Sequence, residues 1–267
     1  MPLTFAARAA PAQRLDLSAL VQHRLAGLSQ REIAKLDLAT TREPALAGDV
    51  FAITGRGSDK VRFAGTTSRC DYIGAEMIGG EIAVEGDAGI EAGRGMRGGR
   101  LVIRGSTGPL TGSGMADGRI EIGGDAGERL GGPRAGEMAG MAGGLIVLRG
   151  NAGARAGDRL RRGVIIVEGD TGGYAGSRMI AGTLIVAGRA GALPGYLQKR
   201  GTLLLGAAAR LSPGFVDCGV HDLTFMRLLA RWLAPHSAKA AALAARPIRR
   251  WQGDMAAAGQ GELFLPA

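Results

Sequence analysis

Glu81-Ile-Ala-Val-Glu-Gly86, Arg100-Leu-Val-Ile-Arg-Gly105, Arg119-Ile-Glu-Ile-Gly-Gly124, Leu145-Ile-Val-Leu-Arg-Gly150, Val164-Ile-Ile-Val-Glu-Gly169 and Thr183-Leu-Ile-Val-Ala-Gly188 are six copies of one phrase. Degenerate copies close at Gly65 and Gly206, so successive glycines stand 21, 19, 19, 26, 19, 19 and 18 residues apart. Repetition at this length marks a stacked architecture in which no unit folds alone. In each copy the second and fourth strand residues are apolar, from Val61 and Phe63 to Leu203 and Leu205. Alternation of period two turns both onto one face of a strand.

The second half of each copy is small and glycine-rich, as in Asp87-Ala-Gly-Ile-Glu-Ala-Gly-Arg-Gly-Met-Arg-Gly-Gly99. A helix there loses about 1 kcal/mol per glycine against alanine. Glycine recurs three residues after the strand glycine (Gly89, Gly108, Gly127, Gly153, Gly172, Gly191) and again thirteen after it (Gly99, Gly118, Gly163, Gly182, Gly201, Gly219). Corners that need positive φ or close backbone approach account for both columns. Stacking in parallel at about 4.8 Å buries the apolar pairs against one another and satisfies the backbone. The pattern predicts an all-β fold, a right-handed parallel β-helix (solenoid) of about seven or eight coils, with short α-helical N- and C-terminal appendages.

Residues 1–48 are expected to form an N-terminal helical cap, 49–219 the β-helix, and 220–267 a C-terminal helix and tail. Leu17, Leu20, Val21 and Leu25 have helical spacing and predict a helix over 15–28. Ser29-Gln-Arg-Glu32 reads as a capping box opening a second helix, and Gly48 to Ile53 as a strand. This segment should cover the first coil, since open strand edges aggregate. The coil between Gly124 and Gly150 holds seven extra residues, which must leave the stack as a surface loop. The outward strand position becomes apolar in the later copies: Val147, Ile166, Ile185 and Leu204. Such a stripe requires a cover, and the amphipathic run His221 to Leu233 is the first choice, a partner protein the second. The apolar tip, Gly259-Gln-Gly261-Glu-Leu-Phe-Leu265, should return to the body or reach a neighbouring protein.

Thirty-three basic against twenty-four acidic residues give a net charge of +9, and all but four of the basic residues are arginine. That balance admits a polyanionic partner. Few aromatics and no basic run beyond Arg161-Arg162 and Arg249-Arg250 argue against nucleic acid. Cys70 and Cys218 lie near opposite ends of the array, so no disulfide is expected and a reducing compartment fits. Met1 to Ala12 lacks a signal-peptide core and no run approaches membrane-span length, which points to a cytoplasmic protein without a membrane partner.

Candidates for chemistry are sparse. His23, His221 and His236 all lie outside the repeats, without metal-ligand spacing to cysteine or carboxylate. No Cys-x-x-Cys, Gly-x-Ser-x-Gly, phosphate loop or helical His-Glu-x-x-His occurs. Met77, Met96, Met115, Met141, Leu160 and Met179 form a file that fits core packing better than a soft metal, because leucine substitutes in it. Asp87, Asp125, Asn151 and Asp170 follow the strand glycine. Ser106, Arg189 and Ala207 interrupt that file, which favours Asx turns over calcium. No catalytic residue, metal site or stably bound cofactor is expected in this chain.

The run Gly136-Glu-Met-Ala-Gly-Met-Ala-Gly-Gly-Leu-Ile-Val-Leu-Arg-Gly-Asn-Ala-Gly153 and the run from Gly163 to Gly182 resemble the C subunit of formylmethanofuran dehydrogenase. The resemblance extends to Ser29–Ile53 and to the Gly-x-Gly-Glu ending at Gly259 to Glu262. The repeat alone is also similar to the C-terminal β-helix of the glutamate synthase large subunit, which leaves a stand-alone structural partner of an amidotransferase as the alternative. The resemblance to the formylmethanofuran dehydrogenase protein implies a non-catalytic member of a complex handling formyl groups on methanofuran and tetrahydromethanopterin. Its implied partners are an amidohydrolase-like A subunit, a pterin-oxidoreductase-like B subunit and a formyltransferase-like D subunit. In the bacterial version, a formyltransferase/hydrolase complex, such an assembly releases formate. A methanofuran-type cofactor would be used by the complex, and Arg94, Arg97, Arg155 and Arg159 on the turns are the candidates to attract its anionic tail.

Overall fold

A computed structural model gives the fold of residues 2–57 and 59–267. The N-terminal segment contains β1 (Leu3–Ala7), β2 (Leu15–Asp16), the one-turn helices α1 (Gln22–Leu25), α2 (Gln30–Ile33) and α3 (Ala47–Val50), and β3 (Phe51–Thr54). The repeats supply β4 (Lys60–Thr66), a short β5 (Cys70–Asp71), β6 (Glu81–Gly86), β7 (Arg97–Ile103) and β8 (Asp117–Ile122). They continue through β9 (Ala142–Leu148), β10 (Arg162–Val167), β11 (Thr183–Ala190) and β12 (Arg200–Ala208). After these come β13 (Val216–His221), α4 (Thr224–Leu233), α5 (Ala238–Ala244), β14 (Ile248–Gly253) and β15 (Gln260–Pro266).

The fold is mostly β. One sheet of 13 strands runs in the order β13-β14-β15-β12-β11-β10-β9-β8-β7-β6-β4-β1-β3. From β1 to β15 every neighbouring pair is parallel, and the repeat strands pair with equivalent residues opposite each other: Ile82 on Leu101, Ile120 on Ile146, Leu184 on Leu203. A second file of parallel bridges links Ala88, Thr107, Ala126, Ala152, Thr171 and Ala190. Each of the sixteen inward residues, Val61 through Leu205, is at most 2% exposed, and each contributes about 1.5–3 kcal/mol on burial. The methionine file is fully buried in the same core.

The two glycine columns have different causes. Gly99, Gly118, Gly144, Gly163, Gly182, Gly201 and Gly219 sit at φ from +82° to +98°, where a Cβ is penalised. Gly108, three residues after a strand glycine, is instead pressed against the neighbouring repeat, where an added Cβ would lie 2.7 Å from the Gly89 carbonyl.

The N-terminal segment differs from the predicted helical cap. Residues 15–28 contain β2 and the single turn α1 joined by irregular chain, and Leu15, Leu17, Leu20 and Leu25 are buried in the common core while Leu28 is exposed. The Ser29–Glu32 capping box is formed, but its helix stops after one turn. The end of the stack is covered by strands: β1 adds a parallel rung, Leu3 on Val61 and Phe5 on Phe63, and β3 closes it antiparallel. Phe5 stacks on Phe63 at 5.1 Å with Phe51 edge-on to both, an aromatic plug over the core.

The C-terminal tail returns to the body. β15 adds another parallel rung, Leu203 on Leu263 and Leu204 on Phe264, and β14 and β13 follow antiparallel. The chain itself covers the outward stripe: Val147, Ile166, Ile185 and Leu204 are fully buried with Phe264 beneath Met226 and Leu233 of α4 and Leu243 of α5. The outer face is charged on the early repeats, where Glu121 pairs with Arg100 and Arg119 at 2.8 Å. The helices therefore sit where it turns apolar.

Polar anchors fix the helix pair. Ser237 Oγ donates to Glu168 at 2.6 Å, and Arg119 Nη1 lies 3.0 Å from His236 Nδ1. A guanidinium only donates, so Nδ1 accepts and the imidazole is neutral. Burial and then the Arg119 charge lower the His236 pKa from its ordinary 6.5. The folded state thus prefers neutral His236, and its contribution is full above pH 6.5 and lost as pH falls below it. Urea midpoints at pH 7.5 and 5.5 should drop more for the wild type than for His236→Gln, which keeps an acceptor for Arg119 without titrating.

Candidate interaction site

Opposite the apolar pair, each repeat turns a corner through a non-glycine residue in the left-handed region. Tyr72, Glu91, Leu110, Arg129, Arg155, Tyr174 and Leu193 have φ between +57° and +63°. Such a conformation costs about 1–2 kcal/mol per residue, and here the stack holds it in place. The corner N–H donates to the next repeat each time, as Glu91 to the Pro109 carbonyl at 2.9 Å and Tyr174 to that of Ala192 at 2.8 Å. The result is a ridge of side chains along one face.

The insertion in the long repeat lies across this ridge as a strap. Arg134 Nε reaches back to Glu91, 2.7 and 2.8 Å from its two carboxylate oxygens, and its guanidinium stands 5.9 Å from the Tyr72 ring centre. Arg94 donates to Glu137 Oε1 at 2.8 Å, the Arg134 N–H to Glu137 Oε2 at 2.9 Å, and Arg159 Nη1 to the Glu137 carbonyl at 2.7 Å. The buried Glu91 carboxylate also pushes the Arg134 pKa upward, chiefly through the hydrogen bond. Met138, next to Glu137 in this clamped loop, is 79% exposed.

Beside the strap is a cleft of about 220 Å³ lined by Arg129, Arg134, Arg155, Arg159, Arg178 and Asp158. Asp158 is buried and taken by Arg178 and by Ser177 Oγ at 2.7 Å. Arg134 is taken by Glu91, and Arg159 by a carbonyl. The cleft therefore keeps a positive surplus at Arg129, Arg155 and Arg159. An adjoining groove of about 480 Å³ carries Arg155, Tyr174, Arg178, Leu193 and Tyr196. There Tyr174 and Tyr196 pack edge to face at 5.8 Å, and Arg155 lies 5.5 Å over the Tyr174 ring.

Of the sequence candidates, Arg155 and Arg159 meet in this cleft. Arg94 does not line it, since Glu91 and Glu137 neutralise it on the other side of the strap. Arg97 is exposed at the start of β7 and lines neither cavity. The stripe Val147, Ile166, Ile185 and Leu204 is inaccessible beneath α4 and α5. Tyr174 and Arg178 follow Arg155 and Arg159 by nineteen residues, so carrying the repeat register over to outward turn positions finds them. Arg134 has no such signal, because an insertion has no register.

The Asx file has a role different from an Asx turn. Asp87, Asp125, Asn151 and Asp170 each accept from the backbone N–H of Ser106, Asn151, Asp170 and Arg189 in the following repeat, at 2.7–2.8 Å. The strand glycines make room: a Cβ on Gly105, Gly150, Gly169 or Gly188 would collide with that Oδ1. Among the described residues no group of three or more His, Cys, Asp or Glu side chains is placed to hold a metal ion, and no helix is long and apolar enough to cross a membrane.

Fold and surface together define a mostly-β protein of stacked strand repeats whose turn face carries a strapped arginine–tyrosine groove. No family model matches the chain. It is 54% identical over 255 residues to the C subunit of the formyltransferase/hydrolase complex Fhc of Methylorubrum extorquens, covering 96% of each protein. It also matches, with a TM-score of 0.95 and 44% identity over 99% of both chains, one chain in the crystal structure of the FhcABCD complex of that organism with methylofuran. The chain belongs to the family of formyltransferase/hydrolase complex C subunits.

Arg134→Ala should loosen the strap, which Arg94 and Arg159 still hold at Glu137, while leaving the core intact. Arg94 still pairs with Glu91 at 3.3 Å and Arg134 is partly solvated, so the loss is about 1–2 kcal/mol. A lower urea midpoint and faster limited proteolysis near Met138 are the expected readouts.

Proposed function

We propose that this chain is a rigid, non-catalytic scaffold of a cytoplasmic formyltransferase/hydrolase complex. In this reading it docks formyltransferase-like and hydrolase-like subunits, with a pterin-oxidoreductase-like subunit in the same assembly. The complex would move formyl groups between tetrahydromethanopterin and a methanofuran-type carrier and release formate. Its body would be a right-handed parallel β-helix of about seven or eight coils, organised as 1–48, 49–219 and 220–267. One observation carries the reading: the chain aligns end to end with a member of a four-subunit assembly. The ridge supports it, because pre-organised tyrosine and arginine side chains are what tight protein interfaces use. Co-expressed with the three other subunits of its family's complex, the tagged chain should retain them through purification, and alone it should neither transfer nor hydrolyse formyl groups. Formyl transfer by the isolated chain would overturn the assignment.

Within that complex, Arg155 and Arg159 are the residues proposed to attract the anionic tail of the methanofuran-type cofactor; Arg94 and Arg97 drop out on geometry. Charge-assisted hydrogen bonds contribute about 1.5–3 kcal/mol each. Arg155→Glu with Arg159→Glu should weaken cofactor binding by the assembled complex at least about tenfold, measured by calorimetry. Equal affinity would remove the cleft from cofactor binding.

A further inference from the structure

α4 carries more apolar surface than folding requires. Met226 and Leu233 face the sheet and are buried, with Leu229 and Ala230 half-buried beside them. Yet Phe225, Leu228 and Trp232 are 47%, 57% and 43% exposed. Their spacing of three and four residues places them on one outward stripe, separate from the stripe that meets the sheet. Single exposed apolar residues are ordinary, but three large ones aligned on one helix mark an interaction site. Trp232 is also held in place: its ring packs on His236 at 4.7 Å, and His236 is fixed by Arg119. A rigid aromatic anchor loses little freedom on binding.

The charges beside the stripe indicate its occupant. Arg231 follows Leu228 by three residues and is exposed, and Arg227 lies one turn earlier in an exposed pair with Asp222. Arg231 borders the stripe on the side away from the sheet, and Arg227 stands beside Arg231 rather than beside the stripe. A second copy packing the same stripe about a two-fold axis would bring these arginines together on chains that each carry +9. The complementary surface is an apolar groove with carboxylates on its rim. We propose that the outward stripe of α4, Phe225, Leu228 and Trp232 with Arg231 beside it, docks as a helix in such a groove on another protein of the complex. This rests on the scaffold reading above and adds to it the face and the chemistry of one contact.

The test uses the full-length chain and the co-expressed assembly of the three other subunits, with binding measured by interferometry at two salt concentrations. Trp232→Ala with Leu228→Ser should weaken binding about thirtyfold or more, the loss of a hot-spot anchor worth about 2 kcal/mol. Leu228 is 57% and Trp232 43% exposed, and Trp232 also packs on His236, so the melting temperature of the isolated chain should fall by no more than about 4 °C. Arg231→Glu should slow association and weaken its salt dependence. Wild-type affinity in the double variant, with the wild-type chain still binding the assembly, overturns the proposal and leaves the scaffold reading standing. Failure of the wild-type chain to bind the assembly at all overturns both. The proposal also falls if the stripe residues instead drive dimerisation of the isolated chain in sedimentation, or binding to vesicles of anionic phospholipid.

Discussion

An apolar pair placed over an identical apolar pair, with the backbone of each rung hydrogen-bonded to the next, is the interaction on which this molecule depends. Neither half of it stands alone. A six-residue strand with two inward side chains buries almost nothing by itself, and its N–H and C=O groups are left to water. In register, Ile120 lies on Ile146 and Leu184 on Leu203, and sixteen such side chains close into one core. The register constrains everything else in the repeat, because a one-residue slip would turn the apolar set outward.

The glycines and Asx residues follow from that register. Four strand glycines, Gly105, Gly150, Gly169 and Gly188, leave space for the carboxylate or amide of the preceding repeat, whose oxygen accepts a backbone N–H of the following one. The left-handed corners persist for the same reason. Their strain is offset by a hydrogen bond to the next repeat at every step. A ridge built this way is stiff, and the strap clamped across it by Arg134, Arg94 and Arg159 is stiff too. The opposite requirement acts at the ends, where a stack of strands must stop. β1 with β3 and β15 with β14 supply extra rungs and antiparallel edges, and α4 and α5 cover the face that turned apolar.

Repeat positions were legible from residues alone, because stacking converts sequence period directly into spatial register. The inward pairs, the methionine file and both glycine columns fall where the period puts them. Outside the repeats local spacing is a weaker guide to structure. Leu17, Leu20, Val21 and Leu25 have helical spacing, yet only Leu25 lies in a helix, the single turn α1, and the other three lie in the irregular chain between β2 and α1. Those leucines are buried by an irregular path over the first repeats, and tertiary burial outweighs local periodicity in so short a segment. Leu3, Phe5, Leu263 and Phe264 are rungs as regular as any other. They lie too far along the chain from the repeats for the period to reveal them.

The amino-acid sequence by itself determined the period, the inward and outward sides of each strand, and the places where glycine is required. It did so because each of these is a local property repeated at fixed intervals. Only the tertiary structure decided that Arg155 and Arg159 share a cleft while Glu91 and Glu137 neutralise Arg94. It alone decided that α4 and α5 hide Val147, Ile166, Ile185 and Leu204 while Phe225, Leu228 and Trp232 stay exposed. Those outcomes depend on where an insertion and two chain ends come to rest, and residues distant in sequence meet there only after the stack exists to receive them.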